Sequence, residues 1–375
     1  MRPEGRMNFF ATAAKGTEPA LRDELRELKF PGVRCDRGGV HFSGPWEEGW
    51  RACLYSRIAM EVVVTLAEFD APDGDSLLEG VRAMDWTPFL SPRHTFAVHA
   101  VCRSSALTHS GFIALRVKDG IADHLRSRQG LRPSVDRSDP DVSVFARIIQ
   151  NRAMIGIDLS GSPLNQRGYR RQVGDAPLKE TLAAAILRMC GWDRRSPLLD
   201  PMCGSGTIPI EAALWASGVA PGLSQKRFNF ERWASHDDAA VRRMLELREA
   251  AREMPGRTEK PDIFAGDVDT RMVEIARTNA RHAGVHLRFH VGSVETAPRF
   301  SQPGFVVTNP PYGERIQIDD DLYKKMGRAF RARTGDTLAI LAGHPQIQSE
   351  ISRRPVLVRE LFNGALECAL LVYRF

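Results

Sequence analysis

The chain has 375 residues, 43% of them hydrophobic and 26% charged, which is the composition of an ordinary globular protein with room for roughly two or three domains. Its formal net charge of +6 permits a nucleic-acid partner, and the excess is spread along the chain instead of gathered in a tail. The first residues carry charges and no apolar core of a signal peptide, no apolar run approaches a membrane span, and the cysteines are scattered without a Cys-x-x-Cys pair; this argues against a disulfide scaffold, a zinc ribbon or a membrane protein and points to a reducing cytoplasm.

Asn8 to Ala13 reads as a strand, and Thr17-Glu18-Pro19 opens a helix through Lys29, with Thr17 placed to cap it. A hairpin is expected around Gly38-Gly39, then a helix from Pro45 to about Ser56 and a strand from Ala59 to Glu68. That β-α-β-β-α-β order predicts a small ferredoxin-like unit over residues 1–68. A second α+β segment follows over residues 69–165. In it Thr95 to Val101 is a strand, and Ser110 to Arg128 has helical apolar spacing through Phe112, Leu115, Ile121 and Leu125. Val142 to Ile149 and Arg152 to Leu159 read as strands joined tightly at Gln150-Asn151. The basic run from Arg116 to Arg152 includes Lys118, Arg126, Arg128, Arg132, Arg137 and Arg147. It fits a solvated face and an RNA-contacting surface equally well.

Residues 166–375 change to α/β texture. Leu178 to Cys190 is an apolar-periodic helix, and Pro197 to Asp200 a short buried strand. Further strands are expected at Asp262 to Asp267, His286 to His290, Gly304 to Thr308 and Thr337 to Ala342. Strands alternating with helices predict a doubly wound parallel sheet. The segment closes with Pro355 to Phe362 and Ala365 to Tyr373 about Asn363-Gly364, a strong hairpin signal that adds an antiparallel end to that sheet.

Three motifs in this segment carry chemistry. The first, Asp200-Pro201-Met202-Cys203-Gly204-Ser205-Gly206-Thr207, runs from a strand end through a glycine turn into a helix expected from Ile208. Its backbone can approach a ligand closely, the helix start can receive a carboxylate, and Asp200 can complement positive charge. The second is the acidic strand end Gly266-Asp267-Val268-Asp269. Asp267 is the residue expected to accept the two hydroxyls of a ribose, with Asp269 able to cap the next helix. In a dinucleotide-binding fold the acid lies ~20 residues past the glycines. Here it follows a long insertion containing Pro221, Trp233 and His236, which counts against a nicotinamide cofactor.

The third motif, Thr308-Asn309-Pro310-Pro311-Tyr312-Gly313, places a polar, double-proline, aromatic loop directly after an apolar strand. An exocyclic base amine is a poor nucleophile because its lone pair is delocalised into the ring. Hydrogen bonds from the amine to the Asn309 side-chain carbonyl and the Pro310 backbone carbonyl would turn that lone pair towards a methyl donor and stabilise the positive charge forming on nitrogen. Pro310 and Pro311 stiffen the loop, and Tyr312 offers a face on which a splayed-out base can stack. The three together predict a class I fold that uses S-adenosylmethionine. No general base is needed, and no metal ligand set is expected: His282, His286 and His290 have a tempting spacing, but Gly284 and a strand break any helix that would align them.

With these residues the chain resembles the RlmL-type 23S rRNA guanine-N2-methyltransferases of the THUMP-domain RNA methyltransferase family. The markers are Arg167-Gly168-Tyr169-Arg170, Ala176-Pro177-Leu178-Lys179-Glu180, the Asp200 to Thr207 loop, Ala220-Pro221-Gly222 and Thr308 to Arg315. The resemblance implies a ferredoxin-like unit, a THUMP domain that grips RNA and a methyltransferase domain. It also implies that Leu178 to Thr181, including Lys179 and Thr181, borders the cofactor pocket, along with Asp200, Cys203, Gly204, Ser205, Gly206, Thr207, Asp267, Val268 and Asn309. On the adenine side it points to Ser293 and Val294, where Gly292-Ser293-Val294 has serine in place of the usual aspartate. Some relatives carry a further methyltransferase domain, and the end at Phe375 leads us to expect only the first activity.

The expected substrate is therefore 23S rRNA, with tRNA as the alternative. DNA adenine and protein glutamine methyltransferases share the Asn-Pro-Pro-Tyr loop, but the α+β segments favour RNA over both. A non-catalytic RNA-binding assembly factor is argued against by the intact Asn309, Asp267 and glycine loop.

Overall fold

The computed structural model describes residues 5–130, 132–170, 178–254, 259–311 and 321–375, which form two compact units. The first unit holds Leu25–Leu164 together with the opening strand and Gln225–Ala250. In chain order its elements are β1 (Met7–Thr12), α1 (Glu18–Glu27, shared between the units), β2 (Arg34–Asp36), β3 (Gly39–Gly44), α2 (Trp46–Tyr55), β4 (Val62–Asp70), α3 (Gly74–Ala83), β5 (Thr95–Arg103), α4 (Ser110–Gln129), β6 (Ser134–Val135), β7 (Val142–Ile149) and β8 (Arg152–Asp158). The expected β-α-β-β-α-β order up to Asp70 is present.

Its strands, however, do not stop at that boundary. β4 pairs with β8, so both α+β segments share one eight-stranded sheet of order β2-β3-β1-β4-β8-β7-β5-β6 among the described residues. The β7–β8 turn works because Gln150 and Asn151 both adopt left-handed backbone, φ 50° and 61°, which matches the strand twist of a two-residue hairpin. Helix α3 carries a cap that sequence reading passed over: the Asp73 carboxylate accepts from the Ser76 N–H at 2.8 Å.

The basic run largely neutralises itself within this unit. Arg116 pairs with Asp75, Arg132 with Asp123 and Arg147 with Asp36. Arg126, Arg128 and Arg137 stay exposed.

Gln225–Ala250 comes from the middle of the α/β segment yet belongs to this first unit. Phe230 stacks on Trp50 at 5.1 Å and 7°, and Trp233 meets Phe89 edge-on at 5.3 Å. Asn229 donates to the Ser143 hydroxyl at 3.1 Å, and Arg232 grips the Asp139 carboxylate with two bonds of 2.7 and 2.9 Å. The long insertion is thus a packed strap, held by aromatic area and a forked ion pair.

The second unit continues with α5 (Glu180–Met189), β9 (Leu198–Asp200), α6 (Thr207–Ala216), α7 (Asp238–Arg252, mostly in the strap), β10 (Ile263–Asp267), α8 (Thr270–His282), β11 (Arg288–Val291), β12 (Phe305–Thr308), α9 (Leu322–Arg331), β13 (Thr337–Ala342), α10 (Gln346–Ile351), β14 (Leu357–Asn363) and β15 (Leu366–Arg374). Its sheet has the order β11-β10-β9-β12-β13-β15-β14, parallel from β11 to β13 and antiparallel at β15 and β14. The central strands are buried on both faces, which is why they read as unbroken apolar runs.

From β9 the chain builds outward through β10 to β11, then returns to place β12 on the other side of β9. That reversal opens a crevice past the carboxyl ends of β9 and β12, the position where ligands bind in open α/β sheets. The closing hairpin differs from expectation by one residue. Asn363 pairs with Leu366, so the turn is Gly364-Ala365, and Gly364 takes the left-handed first position at φ 65°.

Candidate active site

Asp200 ends β9 on the crevice and is almost wholly buried, at 1% exposure. Its Oδ1 accepts from the Thr308 hydroxyl at 2.7 Å and from the Met202 N–H at 3.1 Å. Burial pushes the carboxyl up to about 7, against the opposing pull of the Thr308 and Met202 bonds, and nearby Asp267 adds to the rise. Burial thus favours its protonated form, and an adjacent cation would favour the charged one.

The glycine loop after Asp200 folds as its residues require. Gly204 and Gly206 have φ of 53° and 88°, and a side chain at Gly206 would come within 3.0 Å of Ala276 Cβ on α8. α6 starts at Thr207, one residue earlier than expected. Cys203 is buried against Ala265 and Ala276, and burial raises its thiol far from any reactive range. The Asn279 side chain donates to the Ser205 carbonyl at 3.0 Å and fixes the loop from α8.

Asp267 ends β10 beside this loop. One oxygen accepts from the Gly204 N–H and the other from the Asp269 N–H, both at 3.0 Å. Burial raises its pKa even against these two bonds. Asp269 caps α8 by accepting from the Arg271 N–H at 2.8 Å. Val268 is 72% exposed, a large apolar side chain standing at the mouth of the crevice. Ser293 is half-buried, whereas the Val294 side chain lies in the hydrophobic core, so any cofactor contact from it is made through the backbone.

Asn309 follows β12 immediately. Its side-chain oxygen is buried without a hydrogen-bond partner among the described residues. A buried amide oxygen left this way costs about 1–3 kcal/mol, so it marks a place where a donor is expected. Pro310 is buried and Pro311 half-buried after it. Tyr312 lies outside the described residues, as do Gly313, Glu314 and Arg315.

Sequence reading missed the residues that brace the entry to the site. Arg170 donates to the Leu178 carbonyl at 2.8 Å and to the Thr207 hydroxyl at 3.0 Å, and pairs with Glu180 at 3.1 Å. It thereby ties the start of α5 to the start of α6. Behind it Tyr169 donates to Glu211 at 3.1 Å, and Arg167 forms an ion pair with the same carboxylate at 3.0 Å. Lys179 is exposed and lines an open cleft of about 510 Å³ with Asn165, Gln166, Arg167, Gly168, Arg170 and Glu180. The Thr181 hydroxyl is buried without a partner among the described residues. Arg167 to Arg170 and Glu180 stood out in the sequence only as parts of a resemblance, because nothing in single residues announces a buried ion pair.

A doubly wound sheet closed by an antiparallel hairpin, with a glycine loop and two acids at its switch point, defines a class I S-adenosylmethionine-dependent methyltransferase. Comparison with known proteins narrows this. A family model described as "RMKL-like, methyltransferase domain" matches residues 167–371, a THUMP domain model matches 71–158, and an RlmL ferredoxin-like domain model matches 8–63. The chain belongs to the RMKL-like methyltransferase family.

The chain is 42% identical to the ribosomal RNA large subunit methyltransferase K/L of Syntrophotalea carbinolica, over 97% of its length and 53% of the relative's. It is 40% identical to the protein of the same name from Methylococcus capsulatus, over 98% of its length and 51% of the relative's. The chain thus spans about half the length of these relatives. The crystal structure of SMU.472 complexed with SAH is similar at a TM-score of 0.86 and 32% identity, covering 99% of this chain and 98% of that one.

Proposed function

We propose that the protein methylates the exocyclic N2 of a guanosine in 23S rRNA, with residues 1–68 as a ferredoxin-like domain, 69–165 as the RNA-gripping THUMP domain and 166–375 as the methyltransferase domain. The observation that carries the reading is the Asn309 side-chain oxygen just after β12, buried and without a partner among the described residues, next to the Thr308 that is tied to the Asp200 carboxylate. The relatives named ribosomal RNA large subunit methyltransferase K/L support rRNA as the substrate.

The residues present fit S-adenosylmethionine. The Gly204 to Thr207 turn brings its backbone close to the ligand, with Gly206 at φ 88° where a side chain would meet Ala276, the start of α6 receives the carboxylate, and buried Asp200 answers the positive charge. Asp267 takes the ribose hydroxyls on oxygens already oriented by the Gly204 and Asp269 N–H groups. Val268, Ser293 and Val294 border the adenine, while Lys179, Thr181, Cys203 and Ser205 complete the wall. When bound, the cofactor supplies an electrophilic methyl group.

The rest is done by this chain. Asn309 and the Pro310 carbonyl accept hydrogen bonds from the base amine and aim its lone pair at that methyl. The same oxygens stabilise the charge that forms on nitrogen, and the surplus proton leaves to water. The guanosine must leave its stack to reach them, so an exposed or loosely paired one reacts best. Exposed Arg126, Arg128 and Arg137 are candidates for phosphate contact. The protein acts in the cytoplasm, where its RNA is.

The test is incubation of the purified protein and labelled cofactor with unmodified 23S rRNA, tRNA and DNA, followed by nucleoside analysis. N2-methylguanosine in 23S rRNA is the expected product. The same product in tRNA alone moves the substrate to tRNA, and label in N6-methyladenine or protein overturns the proposal.

A further inference from the structure

β13 runs parallel to β12 with Ile340 opposite Thr308. It continues two residues past the end of β12 to Ala342, and Gly343 and His344 follow at the carboxyl end of the sheet, beside the segment that holds Asn309 and Pro310, where the crevice lies. Neighbouring strands are about 4.8 Å apart, so this loop is the next wall of the site beyond Asn309.

At that place His344 is exposed, and its ring lies on Tyr323 with centroids 5.4 Å apart and planes within 9°. Tyr323 itself is only 4% exposed, rooted in the core formed by Val306, Met326, Ile340 and Ala342 beneath β12 and β13. The Gln346 N–H donates to His344 Nδ1 at 3.3 Å and holds the ring in its plane. The result is an aromatic pair with one ring anchored in the core and the other presenting a flat, solvent-facing surface.

An exposed ring held parallel to a buried one is suited to extend the stack by one more planar group. We propose that His344, backed by Tyr323, is the platform on which the target purine stacks when it is turned out of the RNA towards Asn309. The inference rests on the reading of the site as a base-amine methyltransferase. It adds a substrate-contacting residue, His344, and a positioning residue, Tyr323.

The test compares His344→Ala and His344→Phe in the full chain, with unmodified 23S rRNA and total tRNA as the two substrates. Base–aromatic stacking of this kind is worth roughly five- to a hundredfold in affinity. His344→Ala should raise KM for the RNA by a factor in that range while the dissociation constant for S-adenosylmethionine and the melting temperature stay near those of the parent. His344→Phe should recover most of the loss. Tyr323→Leu should reproduce the loss, and Tyr323→Phe, which keeps the ring, should recover most of it. An unaltered KM in His344→Ala, an equal weakening of cofactor binding, or a phenylalanine variant no better than alanine would overturn the platform.

Analysis of the methylated nucleoside in the same reactions separates this outcome from the broader proposal. A product other than N2-methylguanosine, made with the raised KM, sinks the guanosine reading and leaves the platform standing. N2-methylguanosine made with an unaltered KM does the reverse. Transfer to neither RNA overturns both.

Discussion

Replacing Asp200 by asparagine preserves the bonds that seat the residue, since an amide oxygen accepts from the Thr308 hydroxyl and the Met202 N–H as Oδ1 does. The charge is lost, and an NH2 donor stands where the second oxygen was an acceptor. Burial lifts the Asp200 carboxyl to about 7, so roughly one molecule in eleven carries it ionised at pH 6 and about ten in eleven at pH 8. If the positive cofactor needs the carboxylate, its affinity should be about tenfold weaker at pH 6 than at pH 8, levelling off above that, and binding should release a proton.

The stability of the protein has the opposite slope. A carboxyl whose pKa is raised from 3.8 to about 7 on folding holds its proton more tightly when folded. Stability therefore falls as pH rises between those values, by on the order of 4 kcal/mol if no cation intervenes. Asp200→Asn should remove the Asp200 contribution to both slopes, leaving those of Asp158 and Asp267, whose carboxyls burial also raises. It should also bind cofactor about 1.5–3 kcal/mol more weakly than the parent at pH 8, the range for a hydrogen bond to a charged group. Calorimetry at several pH values, in two buffers of different ionisation enthalpy, reads affinity and proton release together. A parent affinity flat from pH 5.5 to 8.5, or a variant that binds equally well, would refute the assignment.

Asn309→Ala should still bind cofactor, while single-turnover methyl transfer slows as its barrier rises by about 2–4 kcal/mol; near-normal turnover would remove Asn309 from the chemistry. Asp267→Ala leaves two ribose hydroxyls and the Gly204 N–H without their acceptor and should weaken cofactor binding by about 1–3 kcal/mol, measured by calorimetry. Trp233→Ala empties a position packed against Trp46 and Phe89 and should cost about 3–5 kcal/mol in denaturant unfolding followed by Trp fluorescence; a loss under 1 kcal/mol would mean that the strap contributes little.

The parallel sheet was legible because buried strands such as Leu198-Leu199 and Val306-Val307 are short apolar runs ending in chemistry-bearing loops. The segment after β12 was legible as a polar, double-proline stretch directly following an apolar strand. The Asp200–Thr308 hydrogen bond was not, since it joins residues 108 positions apart whose register is set only by the pairing of β9 with β12. Nor was the pairing of β4 with β8, because alternation marks which face of a strand is buried and is silent about its neighbour. The Gly364-Ala365 turn shows the remaining limit. Asn-Gly signals a hairpin, but which two residues form the turn is decided by strand pairing, here by Asn363 joining Leu366.

The strap has a consequence for the order in which this molecule can be made. The chain passes between its two units after Thr12, Glu24, Leu164, Ser224 and Ala250. During synthesis the strands from β1 to β8 emerge early, yet Trp50 and Phe89 must wait for Phe230 and Trp233 before their aromatic faces are covered. About two-thirds of the chain has to leave the ribosome before the first unit can close, so its early strands spend that interval as a sticky, unfinished surface. A ribosome-bound chain stalled before Gln225 should accordingly be far more open to protease, and more avid for chaperones, than one stalled just beyond Ala250.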